Sequence, residues 1–93
     1  MQFSYDKAKN TSNKQKHGVA LSEAELLEWD LLISTQDVRR DYGEIRHIGF
    51  APIDDRLYCI VFTDRGDTRH IISLRKANNR EKDQPEQSCL LYS

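Results

Sequence analysis

The stretch Arg56–Ala77, RLYCIVFTDRGDTRHIISLRKA, constrains the fold more than any other part of the chain. It predicts a β-hairpin: a strand from about Leu57 to Thr63, a turn through Asp64, Arg65, Gly66 and Asp67, and a second strand from Thr68 to Lys76. The first strand is apolar on both faces, with Leu57, Cys59 and Val61 on one and Tyr58, Ile60 and Phe62 on the other. Such a strand belongs in the middle of a covered sheet. The second strand is divided. Strict alternation puts Ile72 and Leu74 on one face, and Arg69, Ile71, Ser73 and Arg75 on the other. Burying an unpaired guanidinium costs several kcal/mol, so the Arg face must meet solvent, a carboxylate or an anionic ligand.

Ninety-three residues make one domain with a single core and little surplus stability. No apolar run approaches a membrane span, and the N-terminus lacks a signal-peptide pattern. Cys59 and Cys89 have neither metal-ligand spacing nor the density of a disulfide scaffold, which fits a reducing cytoplasm. Cys59, inside the apolar strand, reads as a small core hydrophobe. The net charge of −1 argues against a protein that coats nucleic acid indiscriminately. That total hides segregation. Residues 1–20 carry Lys7, Lys9, Lys14 and Lys16 against Asp6, whereas residues 21–37 carry Glu23, Glu25, Glu28, Asp30 and Asp37 with no Lys or Arg. From Val38 to Arg80 basic residues again exceed acidic ones.

Around the hairpin, Gln2–Tyr5 reads as a short strand and Asp6–His17 as a Lys-rich helix, capped by Asp6 and stopped by Gly18. Ser22 to Glu25 resembles a capping box, opening a second helix with Leu26, Leu27 and Trp29 on its apolar face. Residues 30–43 form a connector with modest strand potential near Leu31–Ser34. Glu44–Ala51 reads as a strand ended by Pro52, with a turn at Asp54-Asp55. Asn78 or Asn79 can cap a short helix that Pro85 would break. The order is β-α-α-β-β-β, an α+β domain with two N-terminal helices packed on an antiparallel sheet.

His17, His47 and His70 are scattered, and no Gly-rich phosphate loop or nucleophile elbow is present. No metal or cofactor is expected. What remains is a polar set: Lys9, Lys16, His17, Glu44, Arg46, Arg69, Ser73 and Arg75. Lys16 and His17 also suit a helix's last turn through the dipole alone. Arg69, Ser73 and Arg75 either form an internal salt-bridge network, with Glu44 or the acidic second helix, or hold an anion. Register decides whether Glu44 and Arg46 join them. A two-residue turn at Asp54-Asp55 pairs Arg46 with Thr63 and puts Arg69 on the opposite face; one residue more reverses the parity. If the set converges, Glu or His can serve as acid and base, and Arg can bind phosphate, for RNA cleavage by its own 2′-hydroxyl. Arg75, read as solvent-facing, is expected to add little to stability.

Phe3-x-x-Asp6-x-x-Lys9, Asn13-x-x-Lys16-His17-Gly18-Val19, Ser22-Glu23-Ala24, Glu44-x-Arg46-x-x-x-Gly49 and Arg69-x-Ile71-Ile72-Ser73-x-Arg75-Lys76-Ala77 together resemble the BrnT family, in order across residues 3–82. The resemblance implies a RelE-like fold and a metal-independent, translation-inhibiting endoribonuclease toxin of a type II toxin–antitoxin system. It also implies neutralisation by a BrnA-like ribbon-helix-helix antitoxin, in a heterotetramer that reaches operator DNA only through the antitoxin. Carried onto this chain, the site comprises His17, Glu44, Arg46, Arg69, Ser73 and Arg75, with Lys9, Lys16 and Lys76 gripping RNA. The alternative is a non-catalytic RNA- or ribosome-binding module, or an inactive toxin remnant within a repressor complex. Tyr5 stands where the family usually has Trp. The toxin domain is placed at residues 1–82. The tail at 83–93, DQPEQSCLLYS, departs from the charged and aromatic C-terminal helix that the resemblance leads one to expect, and disorder is the alternative.

Overall fold

A computed structural model describes residues 1–91. The chain runs β1 (Gln2–Ser4), α1 (Lys7–His17), two 3-10 helices (Leu21–Leu26 and Trp29–Leu31), β2 (Ile33–Gln36), β3 (His47–Ile53), β4 (Arg56–Arg65), β5 (Thr68–Lys76), α2 (Asn79–Asp83) and α3 (Pro85–Leu90). The strands form one sheet in the order β1-β5-β4-β3-β2, with β1 parallel to β5 and the other pairs antiparallel. The domain is therefore α+β, but its sheet is mixed and gains a fifth strand, β2. β4 lies at the centre, as its two apolar faces require. The turn between β4 and β5 works because Gly66 takes φ 59° without a Cβ penalty.

Each face of the sheet carries its own core. On the first, Ala51, Ile60, Phe62, Ile71 and Leu74 pack against Val19, Leu21, Ala24 and Leu27, with Phe3, Tyr5 and Trp29 at the margin. Tyr5, the departure from the family pattern, is thus a core-edge residue. On the second, Ile48, Phe50 and Cys59 pack with Ala77 and Cys89. Burial pushes the Cys59 thiol up to about 11, so it stays protonated and acts as a hydrophobe.

The second helix expected from Ser22 onward is not α-helical. Leu21, Ala24 and Leu27 are all buried and recur every third residue, which a 3-10 helix stacks along one line. Leu26, expected on the apolar face, is exposed as a result. Ala20 rather than Ser22 stands at the N-cap, its N–H donating to Glu23 Oε2 at 2.6 Å. β3 starts at His47, not Glu44, and runs through Pro52 instead of ending there. β2 pairs β3 only as far as Phe50. Beyond it the Pro52 carbonyl accepts from Glu28 N–H at 2.9 Å, so the missing proline N–H faces the side that β2 has left and removes no ladder bond. Pro85 ends one helix and begins another. It occupies the first turn of α3, where no N–H is needed, and α3 buries Ser88 and Cys89. Part of the segment set apart as an atypical tail thus packs on β2 and β3; Tyr92 and Ser93 lie outside the described residues.

α1 is capped as its sequence demands. Asp6 accepts from Lys9 N–H, and Gly18 adopts the left-handed conformation with its N–H on the Lys14 carbonyl. Its only buried residue is Asn13, whose amide donates at 2.7 Å to the carbonyls of both Val19 and Leu74. β1 pairs β5 only over Thr68–His70, so Asn13 takes over as hydrogen-bond partner further along that edge. Asn13→Ala strands two buried carbonyls and should lower stability by about 1–3 kcal/mol, read from a denaturant midpoint; an unchanged midpoint would show that water replaces the amide.

Candidate active site

A β-bulge decides which polar residues meet. In the β4–β5 ladder Val61 faces Ser73 while Phe62 faces Ile71, so Ile72 has no opposite number. The alternation slips there. Arg69 and Ile71 share the first face with Leu74, whereas Ser73 and Arg75 turn to the second. The expected row of Arg69, Ser73 and Arg75 does not form.

On the first face Arg69 forms a two-pronged pair with Asp64, at 2.7 and 3.0 Å. Its guanidinium carbon lies 4.4 Å from the Phe62 ring centre and 4.8 Å from that of Trp29. Phe3 stacks on Trp29, and His47 on Phe62. The Arg69 guanidinium holds the Asp64 carboxyl below its ordinary range. Arg69 is a packed, neutralised cation.

The second face carries a different group near the β4–β5 turn. The two-residue turn at Asp54-Asp55 pairs Ile53 with Arg56. Continued outward, that register sets Arg46 opposite Thr63 and Glu44 opposite Arg65, which is the two-residue-turn alternative. Thr63 Oγ1 donates to the Ile45 carbonyl at 2.6 Å and pins the segment. Arg65 Nη2 donates to Glu44 Oε1 at 3.0 Å, and Arg46 Nε lies 3.6 Å from Glu44 Oε2. The Arg65 guanidinium, with Arg46 behind it, keeps the Glu44 carboxyl low and ionised. Arg46 Nε is buried and has no hydrogen-bond partner among the described residues. Its guanidinium instead lies 4.3 Å over the Tyr42 ring. Tyr42 OH donates to Asp37 Oδ2 at 2.9 Å, and Arg39 grips the same carboxylate with two bonds, holding it far below the carboxylate range.

His70, opposite Thr63, belongs to this group. Its Nδ1 lies 2.8 Å from Ser4 Oγ. Burial and the nearby Arg65 lower its pKa, with Glu44 opposing them, so the imidazole is neutral at pH 7. Further along the same face Arg75 meets Glu81 through two bonds of 2.8 and 2.9 Å. Glu81 is buried and also accepts from Asn78 N–H at the start of α2. Arg75 is therefore not a solvent-facing side chain. It ties β5 to α2.

The remaining candidates lie elsewhere. Lys9, Lys16, His17 and Ser73 border a depression of about 270 Å³ between α1 and the β5 edge. Lys76 is exposed at the end of β5. The expected set thus divides: Glu44 and Arg46 cluster, Arg69 is on the far face, Arg75 is bound to Glu81, and His17 sits beside β5 with the lysines. Sequence reasoning missed His70, Arg65 and Tyr42. Strict alternation assigns His70 to the face of Ile72 and Leu74, Arg65 reads as a turn residue, and Tyr42 lies in the connector. Among the described residues no three His, Cys, Asp or Glu side chains converge into a metal-holding group.

A family model for the ribonuclease toxin BrnT of type II toxin–antitoxin systems matches residues 5–81, which include both arginine clusters and Glu81 but not α3. No curated protein matches the chain.

Proposed function

Because the chain belongs to the BrnT family of ribonuclease toxins from type II toxin–antitoxin systems, we propose that it is a metal-independent endoribonuclease whose chemistry sits at the Glu44–Arg46–Arg65–His70 cluster. Arg46 carries this reading. Its Nε is turned inward, 3.6 Å from Glu44 Oε2, and the part-exposed remainder of the guanidinium is the cation left on this face for a ligand. A phosphate oxygen of RNA is the natural acceptor for a guanidinium left half-satisfied.

Cleavage by the 2′-hydroxyl needs a base, charge stabilisation at the phosphorane, and a proton for the departing 5′-oxygen. His70 is neutral and can take the 2′-proton. With Nδ1–H donating to Ser4 Oγ, its Nε2 carries the required lone pair. Arg46 and Arg65 face the phosphorane charge, and Glu44 holds the two guanidiniums together. The imidazolium then returns its proton to the leaving oxygen, giving a 2′,3′-cyclic phosphate and a 5′-hydroxyl. Lys9, Lys16 and His17 lie along the β5 edge and suit the RNA backbone beyond the cleaved bond.

We read the architecture as RelE-like, with α1 and the 3-10 helices on one face and the chemistry on the other. A BrnA-like ribbon-helix-helix antitoxin would cover the part-exposed cluster with its own carboxylates, as two toxins on an antitoxin dimer. Arg46→Ala should slow cleavage of an unstructured RNA by roughly 10²–10³-fold in single-turnover assays, with Arg46→Lys recovering little. Wild-type cleavage should persist in EDTA. A normal rate in Arg46→Ala would remove the site, and loss in EDTA restored by magnesium would remove the metal-independent mechanism.

A further inference from the structure

We propose that Tyr42 is a stacking platform for a nucleobase of the bound RNA and that Arg40 holds an adjoining phosphate. This deepens the reading above and rests on it, because it sets the base beside Arg46. Tyr42 lies in the connector between β2 and β3 and is fixed at two points. Its hydroxyl donates to Asp37 at 2.9 Å, and the Arg46 guanidinium carbon stands 4.3 Å from its ring centre. A ring held in this way has little freedom left to lose when a base stacks on it.

The same ring borders a depression of about 350 Å³, with Arg39 and Arg40 as its other walls. That volume is within the range of small-ligand pockets, about 300–1,000 Å³. Arg39 is engaged by Asp37. Arg40 is exposed and in no ion pair among the described residues. Asp37 offers no open charge to repel an anion, since it is buried and saturated by Arg39 and Tyr42. An aromatic face beside an uncommitted cation is the chemistry of single-stranded nucleic-acid sites, where stacking tolerates any base and cations track the backbone. The base would sit next to Arg46, and Arg46 meets the reacting phosphate, so the platform orients the nucleotide that flanks the cleaved bond.

The probe is a 2′-O-methyl RNA oligonucleotide carrying one 2-aminopurine, which binds but lacks the attacking hydroxyl. On the wild-type chain the 2-aminopurine fluorescence should be quenched by stacking. Tyr42→Leu should lose the quenching and weaken binding roughly 5- to 150-fold, with the salt dependence unchanged. Tyr42→Phe keeps the ring, loses only the Asp37 bond, and should retain most of the affinity. Arg40→Ala should lower the slope of log affinity against log salt by about 0.7, one phosphate contact on a single strand. Three results overturn the platform: no quenching in the wild type, full affinity in Tyr42→Leu, or a loss in Tyr42→Phe as large as in Tyr42→Leu. If these occur while Arg46→Ala still abolishes cleavage, the platform alone falls. If Arg46→Ala cleaves normally, the site falls and takes the platform with it.

Discussion

Replacing Arg75 with Ala should lower the stability of the protein by about 2–4 kcal/mol. Removing one partner of a buried ion pair typically costs about 3–5 kcal/mol, because the other charge is stranded. The lower figure applies because Arg75 keeps 31% of its side chain exposed, whereas Glu81 keeps 5%. For a domain of this size each kcal/mol moves the midpoint by about 4–8 °C, so a fall of roughly 10–25 °C is expected in thermal unfolding. The pH dependence follows from the sign of the Glu81 shift. Its carboxyl is held below its ordinary value of 4.5, chiefly by Arg75. A depressed carboxyl stabilises the fold above the unfolded value, and that contribution is lost as pH falls through the folded one. The gap between wild type and Arg75→Ala should therefore be widest near neutrality and close in acid. Arg75→Met combined with Glu81→Leu should restore most of the loss, since a buried pair can often be replaced by apolar packing. A variant as stable as wild type at neutral pH would show the pair to be idle.

His70→Ala should slow RNA cleavage by roughly 10²–10⁴-fold, the range for loss of a general base. His70 is half-buried and bonded to Ser4, so some loss of stability is expected as well. The pH profile separates the two roles. A base must be unprotonated, and burial places the His70 pKa below its ordinary value of 6.5. Wild-type cleavage should thus be level through neutrality and fall only at a pH lower than an ordinary histidine would give. Arg65→Ala removes a cation that lowers this pKa and should move the acid limb up. Glu44→Gln removes the anion that raises it and should move the limb down. A structural histidine would leave the acid limb in place in all three variants.

Some of this architecture follows from residues within a few positions of one another. Asp6 and Gly18 bound α1, Asp54-Asp55 and Gly66 make the two hairpin turns, and the doubly apolar Leu57–Phe62 run makes β4 central. Each depends on a side chain acting on its own backbone or on strand alternation, so each is legible in one dimension. The same holds for the presence of Glu44 and Arg46 on one face, once the two-residue turn is granted. The partners of the arginines were not legible. Arg69 meets Asp64 and Arg75 meets Glu81 because the bulge at Ile72 sends one to each face. Ile71 and Ile72 are the same residue type, so a slip between them leaves no mark on the hydrophobic pattern. The 3-10 spacing of Leu21, Ala24 and Leu27 likewise acquires meaning only against Phe62 and Ile71. Charge pairing and face assignment depend on register between segments far apart in the chain, and one unopposed residue reverses every side chain beyond it.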